Sequence, residues 1–324
     1  MPFSSGYHRR KPSRNPRPSA VAVLLGAGAL LTATACSAGT SASADERGTG
    51  KPKVLAAFYP LEWISSRVGG SDITVTGLTQ PGVEPHDLEL TPRQIAEIER
   101  ADLVVYIKGV QPALDDAVRE HAGDRAFDAA STVTTLPAAA GERFQEGADA
   151  HERLGYDPHV WLDPSRLATT VTELGKRLGR ADAAHAAAYT GRAGAAAGEL
   201  GALDKEFQQG LTTCGSRTIV TAHAAFGYLA DRYKLKQVGI SGVDPDAEPS
   251  PARLAEVAGV ARQERVTTIF TEELVSPKVA EVLAKEVGAK TAVLNPIESR
   301  PPAGDYLSAA RANLSALRTA LGCS

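Results

Sequence analysis

Apolar and polar positions along the chain fall into two similar halves separated by a long helical stretch. In the first half, short apolar runs at residues 53–58, 73–78 and 103–108 predict strands, and helical spacing at 61–68, 92–101 and 112–121 predicts helices. The second half repeats the alternation, with strands at 218–222, 237–240, 267–271 and 291–294 and helices at 225–233, 251–264 and 277–287. Strands alternating with helices are the pattern of parallel α/β sheets. Helix starts are well marked. Thr91-Pro92-Arg93-Gln94 combines an N-cap hydroxyl, proline at the first helical position and Gln three residues after the cap. Ser250-Pro251 and Ser276-Pro277 repeat the hydroxyl-then-proline signal.

Between the halves, Asp163 is a plausible N-cap before Pro164, and Leu167, Val171, Leu174 and Leu178 recur at helical spacing. No strand signal and no further proline occur through residue 208. Gly191, Gly194, Gly198 and Gly201 each lower helix propensity by about 1 kcal/mol relative to Ala. The stretch still reads as one long helix, kinked near Ala181–Asp182 or at the glycines. The expected fold is two (β/α) domains with parallel sheets, 53–163 and 209–324, joined by a single long backbone helix over 164–208. Residues 138–156 are polar and loop-like.

A hydrophobic fraction of 43% is enough for a sizeable core, and 324 residues are enough for two domains. Aromatics are scarce, 5%, and alanine is abundant, so helices are expected to pack closely through small side chains. Charge changes the picture at the N-terminus. Residues 1–35 carry Arg9, Arg10, Lys11, Arg14 and Arg17 and no acid, followed by an apolar run over 20–31 and small residues up to Cys36. This is an export signal, too short in its apolar part to span a bilayer. Ala33-Thr34-Ala35-Cys36 resembles the lipobox of bacterial lipoproteins, which implies lipidation at Cys36, a flexible tether over 36–52 and a place on the extracellular face of the cell membrane. The alternative is a plain cleaved signal with Cys36 uninvolved. Removing the five cations leaves 30 basic against 38 acidic residues, a net of −8. That gives no reason to expect nucleic acid and is compatible with a cation ligand. If Cys36 is lipidated, Cys214 and Cys323 remain as an exported pair, expected to form a disulfide that pins the C-terminal helix to the start of the second domain. Two buried thiols are the alternative.

Three histidines share a context. His86 lies in a loop after a strand, His159 just before the long helix, and His223 at the carboxyl end of a strand. Ligands of open parallel sheets bind outside the carboxyl ends of strands, so three imidazoles from both halves can converge in the cleft between the domains. Neutral imidazole suits Zn²⁺. Gaps of 73 and 64 residues form no motif, and an ordinary core or surface histidine remains the alternative reading for each.

The local words are more specific. Pro85-His86-Asp87-Leu88-Glu89, Asp157-Pro158-His159-Val160-Trp161-Leu162-Asp163-Pro164 and His223-Ala224-Ala225-Phe226-Gly227-Tyr228-Leu229 resemble the zinc/manganese substrate-binding lipoproteins of ABC transporters, zinc branch (cluster A-I). The resemblance runs from about Lys53 to Cys323. It implies two α/β domains joined by one long helix, Zn²⁺ as cargo between them, delivery to a membrane permease and its ATPase, a monomer, and no catalysis. It carries the ligand role onto His86, His159 and His223. Many members place a ligating Asp in a Leu-Asp-Pro word near the C-terminus, where this chain has Leu294-Asn295-Pro296-Ile297-Glu298-Ser299. Asn is a poor zinc ligand. A subset of the zinc branch shares this form and coordinates through the Glu, so Glu298 is the expected fourth ligand, with water or Asn295 as alternatives. Three His and a carboxylate close a tetrahedral zinc shell. A manganese or iron receptor would want more oxygen ligands, and an exported zinc enzyme would need an open position for water. No HExxH word is present. The loop before His159 holds only His151 with Glu142, Glu146, Asp149 and Glu152, a prebinding loop or simply a solvated one. Tyr59 and Trp63 are expected to pack or to line the cleft.

Overall fold

The inner strands are buried on both faces, and that decides the architecture. In the computed structural model, which describes residues 50–138 and 155–324, β5 (Thr218–Thr221) is buried throughout, and β1 (Lys53–Ala56) and β3 (Leu103–Tyr106) nearly so. Such near-continuous apolar strands belong in parallel sheets covered by helices on both sides. Cys36 with its lipobox, most of the tether and His151 with its acidic neighbours lie outside the described residues.

The N-terminal lobe is a four-stranded parallel sheet in the order β2-β1-β3-β4, with β2 at Thr74–Gly77 and β4 at Ala126–Asp128. Helices α1 (Tyr59–Gly69), α2 (Pro92–Arg100) and α3 (Pro112–Ala117) connect or flank these strands. The C-terminal lobe, with β6 (Lys236–Gly239), β7 (Thr268–Thr271) and β8 (Lys290–Val293), has the same arrangement, β6-β5-β7-β8, again all parallel. Its helices are α6 (Gly227–Tyr233), α7 (Pro251–Gln263), α8 (Lys278–Val287) and, at the end of the chain, α9 (Tyr306–Leu321). The order of the strands reverses between β1 and β3 and again between β5 and β7, and the crevice at the strands' carboxyl ends there is where such folds bind ligands. The capping box at Thr91 and the Ser250 cap are both present. Strand β4 has only three residues, too few to show an alternation in sequence.

The stretch expected as one helix over 164–208 is two helices. Helix α4 (Pro164–Ala181) ends at Asp182, and α5 (Ala186–Gly210) folds back along it. The Asp182 carboxylate accepts from Tyr189 Oη at 2.8 Å and His185 Nδ1 at 2.7 Å, local side-chain bonds that compete with helix continuation. Small residues then allow close antiparallel packing. A Cβ on Gly175 would lie 2.7 Å from the Ala193 Cβ, so only glycine fits that crossing. Helix α5, 25 residues and about 37 Å long, is the element that joins the lobes. Near its start Arg192 donates to the Val68 and Gly69 carbonyls of α1, and near its end Glu206 pairs with Arg311 of α9.

One hydrophobic cluster runs through both lobes, from Val54, Phe58 and Trp161 to Phe226, Leu294 and Leu317. A smaller one lies under α7 and α8. Cys214 and Cys323 are disulfide-bonded, at the end of the sheet where β5 begins. Among the described residues, no helix is long and apolar enough to cross a membrane.

Candidate metal centre

Each lobe brings two donors to the cleft. His86 lies in the loop between β2 and α2, which Gln94 of the capping box ties back by donating from Nε2 to the Leu78 carbonyl at 3.1 Å. The same loop reaches the other lobe, where Gly82 N donates to Ser299 Oγ at 2.8 Å. His159 sits in the turn before α4. Its backbone N and its Nδ1 both donate to Asp157 Oδ1, at 2.9 and 2.8 Å. His223 stands two residues past β5. Its N and Nδ1 donate to Glu272 Oε1 and Oε2 at 3.1 and 2.7 Å, and Glu272 directly follows the neighbouring strand β7. The Nδ1 of each imidazole is thus committed to the carboxylate behind it, which leaves its Nε2 facing the cleft as the atom available to a metal.

The Glu298 carboxylate comes from the loop after β8. His86, His159, His223 and Glu298 form one group whose ligand atoms all lie within 4.8 Å of each other. The His159 and His223 Nε2 atoms are 3.4 Å apart. Glu298 Oε1 is 3.6 Å from His86 Nε2 and 3.9 Å from each of the other two. Zinc bonds of about 2.0–2.1 Å in a tetrahedron put donors about 3.3 Å apart, so the set is a slightly open tetrahedral shell. The side chains of His159, His223 and Glu298 are fully buried, and that of His86 is 10% exposed. Among the described residues, His86 Nε2 and both Glu298 oxygens have no hydrogen-bond partner. Burying a carboxylate with both oxygens unpaired is costly, and a cation among these donors removes the cost. Asn295 does not join the group. Its Oδ1 accepts from Ile297 N at 2.6 Å and its Nδ2 donates to Glu273 at 2.8 Å.

Electrostatics sort the donors. Burial holds the His159 imidazole well below its ordinary pKa, with the neighbouring His223 and His86 adding to it. Burial also pushes His223 down, but the charge and hydrogen bond of Glu272 outweigh it and raise the group to about 9. Glu298 is pushed up by burial yet ends below its ordinary value, through the close approach of His86 at 3.6 Å and the influence of the other two histidines. His223 therefore carries a proton at neutral pH that competes with a metal. Apparent zinc affinity is expected to fall at least tenfold per pH unit on acidification from about 8 to 6, with at least one proton released per zinc. Calorimetric titration in buffers of different ionisation enthalpy counts that proton. A flat affinity profile with no proton release would contradict this assignment.

Sequence reasoning missed three supporting groups. Asp157 and Glu272 orient the imidazoles. Glu84 lies beside the site, its Oε1 accepting from His86 N at 3.3 Å, its Oε2 buried without a partner, and its carboxyl raised to about 8 by burial and by Glu298. Asp157 was legible in principle from its place two residues before His159. Tyr59 lines a small opening next to Glu298, together with Glu62, Thr79 and Arg300. Trp63 is buried against Tyr306 at 5.1 Å between ring centroids. His121, His185 and Glu248 are not in the group.

The family described as zinc-uptake complex component A, periplasmic (ZnuA), matches residues 54–320. The zinc-binding lipoprotein AdcA of Streptococcus pneumoniae serotype 4 (strain ATCC BAA-334 / TIGR4) is 36% identical over 303 residues. That match covers 89% of this chain and 60% of the pneumococcal protein, so the chain spans about three fifths of that relative's length. The high-affinity zinc uptake system protein ZnuA of Bacillus subtilis (strain 168) is 34% identical over 303 residues, covering 90% of this chain and 94% of its own. Among solved structures, the Zn(II)-bound ZnuA-like domain of Streptococcus pneumoniae AdcA superposes with a TM-score of 0.70 at 34% identity, over 84% of this chain and 99% of that one. The fold and the length of these matches agree: the chain belongs to the zinc-uptake complex component A family.

Proposed function

We propose that the chain is the extracellular solute-binding component of a zinc ABC importer. Zn²⁺ is its cargo, held by His86, His159, His223 and Glu298 and handed to a membrane permease driven by a partner ATPase. The observation that carries this reading is the buried group of three Nε2 donors and an unpaired carboxylate, drawn from both lobes. In the same reading residues 1–35 are a signal peptide, Cys36 is the lipidated N-terminus, and 36–52 tether two metal-binding lobes, 53–163 and 209–324, to the membrane. Four protein donors fill a tetrahedral shell, which suits capture and leaves no position for the bound water a zinc hydrolase needs. The shared core and the long α5 favour small rearrangements at release over wide opening of the lobes.

Metal content and competition titration of the purified mature protein test this. The expected result is one tightly bound zinc that manganese and iron displace poorly. Equal competition by manganese would make the chain a manganese receptor of the same fold. Hydrolytic turnover that depends on the bound zinc would make it an enzyme.

A further inference from the structure

Among the described residues, three other than glycine have positive φ: Lys234, Arg265 and Ile297. The first two follow helix ends, where a left-handed residue commonly closes the last turn. Ile297 is different. It is β-branched, 1% exposed, at φ 59°, and immediately precedes Glu298. A residue of this kind stays in that region only where its surroundings over-determine it.

Those surroundings are specific. Asn295 Oδ1 accepts from Ile297 N at 2.6 Å, closing an Asx turn over Pro296. The backbone of Asn295 is gripped from α9 by one amide side chain, since Asn295 N donates to Asn313 Oδ1 at 2.9 Å and Asn313 Nδ2 donates to the Asn295 carbonyl at 2.6 Å. Asn313 is 4% exposed, so its amide is committed to this contact. The Pro296 carbonyl accepts from Trp161 Nε1 of the other lobe at 2.7 Å. The Asn295 N–H and carbonyl, the Pro296 carbonyl and the Ile297 N–H are thereby held, and the next side chain is Glu298.

We propose that Asn295 and Asn313 form an amide clamp that holds Ile297 left-handed and so keeps the Glu298 carboxylate aimed into the metal site before the metal arrives. Both are positioning residues acting through Glu298, and the proposal rests on the reading of Glu298 as a zinc ligand. A carboxylate fixed in advance loses little freedom when the metal binds, and one aimed as a single donor favours four-coordinate over higher-coordinate ions.

The test compares Asn295→Ala, Asn313→Ala, Asn295→Ala with Ile297→Gly, and Glu298→Ala, each shown to be folded by metal-free thermal melting. Zinc affinity and the visible spectrum of the Co²⁺-loaded protein, intense for four-coordinate cobalt, are the readouts. Asn295→Ala and Asn313→Ala are expected to weaken zinc by about 10–100-fold, the cost typical of losing an outer partner of a ligand, and to dim the cobalt spectrum. Adding Ile297→Gly, which adopts the same φ without strain, should restore most of the loss in Asn295→Ala. Should Asn295→Ala not fold, Asn295→Ser, with a shorter acceptor, is read the same way. Wild-type affinity and spectrum in the folded Asn295 and Asn313 variants overturn the clamp. So does a double variant as weak as Asn295→Ala alone, the result expected if Asn295 were itself a ligand. Unchanged affinity in Glu298→Ala would instead overturn the ligand assignment beneath it.

Discussion

Replacing His223 with alanine lowers zinc affinity by about a hundredfold or more. Four protein donors share a binding free energy that for closed zinc sites is on the order of 10–16 kcal/mol, so one imidazole carries roughly 3 kcal/mol. The substitution also removes the Nδ1 donor from Glu272, whose side chain is only 2% exposed. An acceptor orphaned in such a place costs about 1–3 kcal/mol of folding stability. The metal-free variant should therefore melt earlier than the wild type as well as bind poorly. His159→Ala is expected to behave alike, through Asp157. His86→Ala should lose affinity with little change in metal-free stability, because the His86 ring Nε2 has no partner to abandon. Competition titration with a chromophoric chelator and metal-free calorimetry measure the two effects separately. Affinity for zinc within a few-fold of wild type in His223→Ala would remove this histidine from the ligand set.

The second large effect concerns stability without binding. Cys214 and Cys323 close a loop of 109 residues, for which the chain-entropy estimate is about 4–5 kcal/mol. For a protein of this size each kcal/mol moves the melting temperature by about 2–4 °C, so Cys323→Ala or reduction should lower it by about 10 °C or more. The bridge lies where β5 begins, whereas the metal donors gather beyond the opposite, carboxyl ends of the strands. Zinc affinity at 25 °C should therefore be unchanged in the variant. A matching loss of affinity would mean that the bridge also shapes the cleft.

Much of this was readable before the structure. Strand–helix alternation reports burial on two faces, and each inner strand carries its own apolar run. The three histidines were found because each sits in a distinctive local word at a strand or helix boundary. What escaped depends on relations between distant residues. Glu272 and His223 are 49 positions apart and meet only because β7 lies beside β5. The turn at Asp182 was anticipated as a kink, but the doubling back depends on small residues of α4 and α5 finding each other, which no local propensity encodes. In sequence alone Asn295 reads only as a replaced ligand. Its role in the turn appears once Asn313, 18 residues further on, is seen to grip its backbone.

The helical hairpin has a mechanical consequence. Helix α5 acts as a beam between the lobes, and it is reinforced unevenly. Helix α4 is spliced along its first part, where Gly179 and Gly175 meet Ala186 and Ala193, and α9 along its last, where Leu314 packs on Gly210. Between the splices the outer face of α5 is open at Gly198 and Gly201, while on its inner face Leu200 and Leu203 are buried and Glu199 pairs with Arg67 of α1. A beam braced along one whole face bends little, so the movement that accompanies metal release is left to the loops that carry the donors.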